Sequence, residues 1–260
     1  MSDDQITVRN QLLARAGETT PGLLFDEQSW TWDEVVHESC VRSAVIGSLL
    51  PEGAPPHVGV LLDTTPEFSF LLGGAALGGQ VVVGLNTTRR GPSLVDDIAR
   101  SDCQAVVTDA TYAPLLEGLD VGVPVLLVDS PAWADLLAAH ADGGVPDVEV
   151  DMETLLMLIF TSGTSGNPKA VNVTQVKVAF PGLFLADRFK LGPEHTAYLS
   201  MPMFHSNAIM AGWGPALASG TTIALAPRFS ASGFLADVRR YGATYANYVG
   251  NFFFNDTATT

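Results

Sequence analysis

Apolar positions along the chain gather into short runs, separated by stretches in which they recur at helical spacing. Thr31-Trp32-Asp33-Glu34 has the S/T-x-x-E form of a capping box. Val35, Val36, Val41, Val45, Leu49 and Leu50 then supply an apolar helix face expected to reach about Pro51. Residues 57–62 form an apolar run of the kind buried in a parallel sheet. Thr65-Pro66-Glu67 follows with a cap, a first-turn proline and an acid, the signature of a helix start. The order repeats as strand 80–85, helix 92–100, strand 104–108, helix 112–119 and strand 123–128. Strands alternating with helices imply right-handed crossovers and an α/β, doubly wound, mostly parallel sheet.

Between residues 139 and 151 periodicity is lost and Gly, Pro and acids collect. This predicts a first α/β subdomain over 1–140, a surface connection at 141–153 and a second α/β subdomain over 154–250. The second part opens with an apolar strand at 154–160, a polar Gly-rich loop at 161–170 and a short strand at 171–173. Thr174 is placed to cap the next helix, and Pro181 within it predicts a kink or break. Strand 197–200, an apolar helical stretch 208–218, strand 222–225, helix 233–241 and strand 244–249 complete the pattern.

Composition narrows the class. With 47% hydrophobic and 16% charged residues, the chain contains too much aliphatic surface to remain unfolded. Its formal net charge of −15 argues against nucleic acid as the main partner, because a binding face must neutralise phosphates with Lys and Arg. Cys40 and Cys103 are far apart and lack metal-type spacing, which fits reduced core thiols of a cytoplasmic protein. The acidic start lacks the basic and apolar regions of a secretory signal. Two uncharged stretches, 68–85 and 206–227, approach the roughly 18 residues of a membrane span. Glycines in the first, and glycines with Pro215 in the second, divide each into a buried helix, a turn and a buried strand, so no transmembrane segment is expected and any membrane contact is expected to be peripheral.

The chemistry concentrates in Phe160-Thr161-Ser162-Gly163-Thr164-Ser165-Gly166-Asn167-Pro168-Lys169-Ala170. Two glycines let successive N–H groups face one point, four hydroxyls add donors, and Lys169 is one of only three lysines in the chain. That is a polyphosphate cradle in chemical terms. It is neither a Walker A loop, which needs G-x-x-x-x-G-K-[ST], nor a G-x-S-x-G nucleophile elbow. The order of residues resembles the phosphate-binding loop of the adenylate-forming superfamily, [FY]-T-S-G-T-[TS]-G-x-P-K-G, except that Ala170 stands where glycine is usual. Further resemblances run through Trp30–Glu34, Val58–Phe68, the G-x-N turn Gly84–Gly91 and Met201-Pro202-Met203-Phe204-His205. The wording around Asn86–Gly91 and Arg228–Gly233 is similar to fatty-acyl-CoA synthetases, including those acting on long chains or steroid side chains.

The resemblance implies the N-terminal domain fold of an acyl-CoA synthetase, a ligase that joins a carboxylate to coenzyme A through an acyl-adenylate. It implies ATP, Mg2+ and coenzyme A as co-substrates and a small-molecule carboxylic acid as partner. Thr161, Ser162, Gly163, Thr164, Ser165 and Gly166 would cradle the β- and γ-phosphates, Lys169 would act as a point charge, and His205 would gate the acyl pocket. No metal ligand is assigned: the family's magnesium-binding Glu, ribose-binding Asp and C-terminal lysine motifs have no match here. The resemblance therefore predicts the incomplete first part of a larger enzyme, inactive by itself. Residues 251–260 resemble a translated sequencing adapter and are expected to be non-native. Competing readings are a noncatalytic nucleotide- or acyl-binding module and an adenylation domain for a non-fatty acid.

Overall fold

A computed structural model describes residues 6–161 and 169–249. In chain order the elements are α1 (Val8–Leu13), β1 (Pro21–Phe25), β2 (Gln28–Thr31), α2 (Trp32–Leu49), β3 (His57–Leu61), α3 (Pro66–Gly78) and β4 (Val81–Gly84). Next are α4 (Pro92–Arg100), β5 (Ala105–Thr108), β6 (Val125–Leu127), α5 (Pro131–Ala139), β7 (Leu155–Thr161), β8 (Lys169–Thr174) and α6 (Gln175–Phe189). The remainder is β9 (Thr196–Leu199), α7 (Ser206–Ala208), a π-helical turn (Ile209–Trp213), α8 (Gly214–Ser219), β10 (Thr222–Leu225), α9 (Phe234–Arg240) and β11 (Tyr245–Ala246).

Two sheets result. One has the order β6-β5-β3-β4-β7-β8 and is parallel except for β8, which runs antiparallel to β7. The other has the order β11-β9-β10-β1-β2 and is parallel except for β2. Strands on both sides of residues 141–153 enter each sheet: β1 pairs with β10, and β4 with β7. The chain therefore does not divide into consecutive subdomains at that connection, because its first hairpin completes the sheet built from its last strands.

The helix starts follow local chemistry. Thr31 accepts from Glu34 N while Glu34 returns a bond to Thr31 N, the complete capping box. Between α2 and α3 the helices approach through small residues: a Cβ added at Gly74 would lie 2.8 Å from both Ser39 O and Ser43 N. Thr174 occupies the N-cap position of α6 but makes no capping bond. The first N–H groups of α6 instead donate to carbonyls of the turn before β7, Gln175 N to Thr154 O and Val176 N to Met152 O, each at 3.0 Å.

Three further expectations need correction. The helix predicted over 112–119 is a single 3-10 turn, Ala113–Leu115, with Pro114 inside it and Gly118 at φ +73° just beyond. The strand predicted at 171–173 is a six-residue arm, Lys169–Thr174, because pairing with β7 extends it. Pro181 does not break α6, which is assigned as one helix from Gln175 to Phe189. Tertiary packing overrides the proline: a Cβ on the next residue, Gly182, would come within 2.8 Å of Gly214 O in α8.

The two stretches of near-span length resolve into α3 with β4 and into α7, the π turn, α8 and β10. Among the described residues no helix is long and apolar enough to cross a membrane. Cys40 and Cys103 are buried free thiols, and burial pushes Cys103 up to about 11. The tail at 251–260 lies outside the described residues.

Candidate functional site

A cavity of about 480 Å³ lies where the two sheets meet. Its lining comes from segments that follow the carboxyl ends of five parallel strands: Asp63 after β3, Asn86 to Arg90 after β4, Tyr112 after β5, Ser200 to His205 after β9, and Arg228 after β10. In open α/β sheets ligands bind at this edge, because there the side chains of several connections converge on one crevice. β7 runs parallel to β4, so its carboxyl end, at Thr161, lies at the same edge.

The arms of that loop form an antiparallel hairpin in which Thr161 stands opposite Lys169. Both residues are exposed, and Thr161 Oγ1 donates to Lys169 O at 3.5 Å. Ser162, Gly163, Thr164, Ser165 and Gly166, predicted to cradle phosphate, lie outside the described residues. The hairpin thus brings together the two flanking members of the predicted set.

His205 lines the cavity at the N-cap of α7. Its backbone N–H donates to Pro202 O at 3.0 Å, and its ring lies 4.4 Å from that of buried Phe204. Partial desolvation there lowers the imidazole below its ordinary pKa and favours the neutral ring. Gly84 allows the Phe204 segment to approach: a Cβ on Gly84 would sit 2.8 Å from Met157 Cε and 3.0 Å from Phe204 Cα.

A polar network closes one wall of the cavity. Tyr112 donates its hydroxyl to Asp63 Oδ1 at 2.5 Å, and Arg228 donates Nε to Asp63 Oδ2 at 2.9 Å and Nη2 to Tyr112 Oη at 2.7 Å. Burial, reinforced by Asp63, raises the Tyr112 hydroxyl. The Asp63 charge in turn raises Arg228. Since Asp63 and Tyr112 belong to one sheet's connections and Arg228 to the other's, these bonds tie the sheets together. Thr64 adds two more ties, donating N to Pro227 O at 3.3 Å and Oγ1 to Met201 O at 3.0 Å.

Arg90 differs from its neighbour. Arg89 is paired with buried Asp97 at 2.8 Å, whereas Arg90 donates only to the carbonyls of Thr87 and Arg89 and meets no carboxylate among the described residues. Asn86 Oδ1 holds this turn by accepting from Thr88 N and Oγ1, each at 2.8 Å. The cavity lining therefore presents one uncompensated guanidinium, while its single carboxylate is engaged by Tyr112 and Arg228. Such a lining suits an anion better than a metal ion, and no cluster of metal-ligating side chains occurs among the described residues. Sequence reasoning assigned no role to Asp63, Tyr112, Arg90 or Arg228. Arg90 and Arg228 stand within the quoted motifs, but their pairing depends on connections far apart in the chain.

The model of the AMP-binding enzyme family matches residues 13–255. A steroid-22-oyl-CoA synthetase of Rhodococcus jostii is 50% identical over 96% of this chain and 46% of its own length. The medium/long-chain-fatty-acid–CoA ligase FadD17 of Mycobacterium tuberculosis is 46% identical over 96% of this chain and 49% of its own. The chain thus spans about half the length of these curated relatives. In fold, the crystal structure of VinN superposes with a TM-score of 0.79 at 24% identity, covering 92% of this chain and 60% of that one. On this evidence the chain belongs to the AMP-binding enzyme family.

Proposed function

We propose that the protein containing this chain is an AMP-forming acid–thiol ligase acting on an apolar carboxylic acid. The observation that carries the reading is the convergence at one sheet edge: the hairpin bearing Thr161 and Lys169, and a cavity lined by Arg90, Arg228 and His205. In the first step a carboxylate oxygen attacks the α-phosphorus of ATP and the bond to the bridging oxygen breaks, giving an acyl-adenylate and pyrophosphate. In the second, the coenzyme A sulfur attacks the activated carbonyl, the thiol proton is released and AMP departs. An anion approaching a polyphosphate is repelled, so donors and cations placed where charge accumulates lower the barrier.

Lys169 supplies such a charge on the β8 arm, and Thr161 holds the opposite arm in register. Ser162, Gly163, Thr164, Ser165 and Gly166 are assigned to the phosphates on the strength of their order in the sequence. Magnesium, when bound, shields the polyphosphate charge. His205, neutral and at the cavity wall, separates the nucleotide end from the acyl end. Support for an apolar acid comes from the two relatives, whose names specify a steroid side-chain acid and medium to long fatty acids.

The test is product formation. Full-length protein incubated with ATP, magnesium, coenzyme A and a series of acids should give acyl-CoA, detected by mass spectrometry, with apolar acids preferred. Nucleotide binding without any thioester or adenylate across the series would contradict the proposal and favour a noncatalytic binding module. Preference for a polar or aryl acid would preserve the reaction class and overturn the substrate class.

A further inference from the structure

The surface of α6 carries a feature that the proposed reaction does not use. Lys177, Phe180, Phe184 and Arg188 follow one another at spacings of three and four residues, so they form one stripe along the helix. Both phenylalanines are open to solvent, Phe180 at 57% and Phe184 at 61% exposure. The opposite face is buried through Val178, Ala179, Gly182 and Ala186. Large aromatic side chains on an outward helix face, bracketed by cations, are the pattern of a helix lying in a lipid interface.

Charge supports the same partner. The chain as a whole is strongly acidic at −15, yet all three of its lysines, Lys169, Lys177 and Lys190, fall within residues 169–190. The acid of this region, Asp187, is paired with Lys190 at 2.8 Å. At physiological ionic strength screening acts over about 8 Å, so a bilayer touching α6 senses the local charges of this face, the stripe's Lys177 and Arg188 together with Asp151 and Glu153 near the helix start, rather than the net charge of the whole chain. Long basic side chains can also lay their methylenes along the aromatic rings while keeping their charge at the headgroups. A second copy of this chain would bring its own basic stripe, which disfavours self-association through the same face.

Beside the stripe, α1, α6 and α8 enclose a cleft of about 620 Å³ whose lining is apolar at Leu13, Ala14, Leu183 and Ala218 and polar at Asn10, Gln11 and Arg15. Leu183 belongs to α6 between the two exposed phenylalanines, so the apolar side of the cleft adjoins the stripe. Its polar fringe includes Arg15, whose Nε is buried without a hydrogen-bond partner among the described residues. We propose that the Lys177-Phe180-Phe184-Arg188 face of α6 docks on an anionic lipid bilayer, with the adjoining cleft extending the apolar contact. This inference does not depend on the proposed ligase activity.

The test is co-sedimentation of the full-length protein with vesicles of phosphatidylglycerol and phosphatidylcholine, compared with phosphatidylcholine alone. Binding should require the anionic lipid and weaken as salt is raised. The double substitution Phe180→Ser with Phe184→Ser should reduce binding at least tenfold, while Phe180→Leu with Phe184→Leu should retain it. Lys177→Glu with Arg188→Glu should remove the preference for anionic vesicles. Thermal melting of each variant establishes that it is folded, and pyrophosphate exchange with a water-soluble acid reports the ligase reading separately. Absence of vesicle binding by the unaltered protein, or unchanged binding by the folded serine variant, overturns the proposal. So does a dimer in sedimentation velocity that the serine pair dissociates.

Discussion

At the cavity, His205 and Tyr112 show how single residues set the chemistry of the site. Desolvation lowers the His205 pKa, so the unfolded chain binds its proton more readily than the folded one. The stabilisation from keeping this ring neutral is complete above the unfolded value of about 6.5 and is lost as pH falls through that value toward the folded one. An NMR titration should therefore find the His205 midpoint below 6.5. A midpoint at or above that value would contradict the desolvated environment. Tyr112 makes a different kind of contribution, since its hydroxyl both donates to Asp63 and accepts from Arg228 across the sheet boundary. Tyr112→Phe should cost about 1–3 kcal/mol in urea unfolding, because a partly buried carboxylate loses a donor. A stability unchanged within error would show that the sheets are held without this network.

Packing between elements makes sharper demands than any single side chain. Gly74 lets α3 lie directly on the α2 backbone, and a methyl group there would meet Ser39 O and Ser43 N at 2.8 Å. Backbone cannot give way as a flexible side chain does, so Gly74→Ala should destabilise by about 1–3 kcal/mol. A wild-type urea midpoint for that variant would refute the close approach. At the start of α2, Thr31→Ala should cost about 1 kcal/mol through loss of the cap. Much of this level was legible in the sequence: the capping box, Pro92–Arg100, and the strands around 57–61 and 222–225 all stand where the pattern placed them.

What was missed has physical causes. α1 is only six residues long and carries its Thr7 cap without a long apolar period behind it. The β1–β2 hairpin turns at Asp26 with φ +50°, without the Asn-Gly or Asp-Gly pair that usually announces such a turn. α5 opens with Ser130-Pro131, the same cap-and-proline signal as Thr65-Pro66, and could have been read from it. The helix expected over 112–119 failed because Pro114 and Gly118 act locally against its apolar pattern.

On the scale of the molecule, the two sheets exchange strands across the length of the chain, and that exchange forms the cavity. β1 and β2 travel from the N-terminus to the sheet of β9, β10 and β11, while β7 and β8 join β3 and β4. The five carboxyl ends then face one crevice. Sequence pattern identified the alternation but not the exchange, because pairing between β1 and β10 spans about 200 residues and leaves no local mark. The Phe160–Ala170 motif is readable for the opposite reason, being a contiguous string. Asp63, Tyr112 and Arg228 became visible as a network only when three distant connections were brought to the same edge.

In the proposed reaction this edge activates a carboxylate with ATP, and Lys169 supplies part of the required charge. ATP–pyrophosphate exchange in the full-length protein tests it most directly, because exchange reports the adenylation step without coenzyme A. Exchange should depend on an added apolar acid, and Lys169→Ala should slow it about 100-fold, equivalent to about 2.7 kcal/mol of lost transition-state stabilisation. Absence of acid-dependent exchange, or a Lys169→Ala variant as fast as the unaltered protein, would contradict the account.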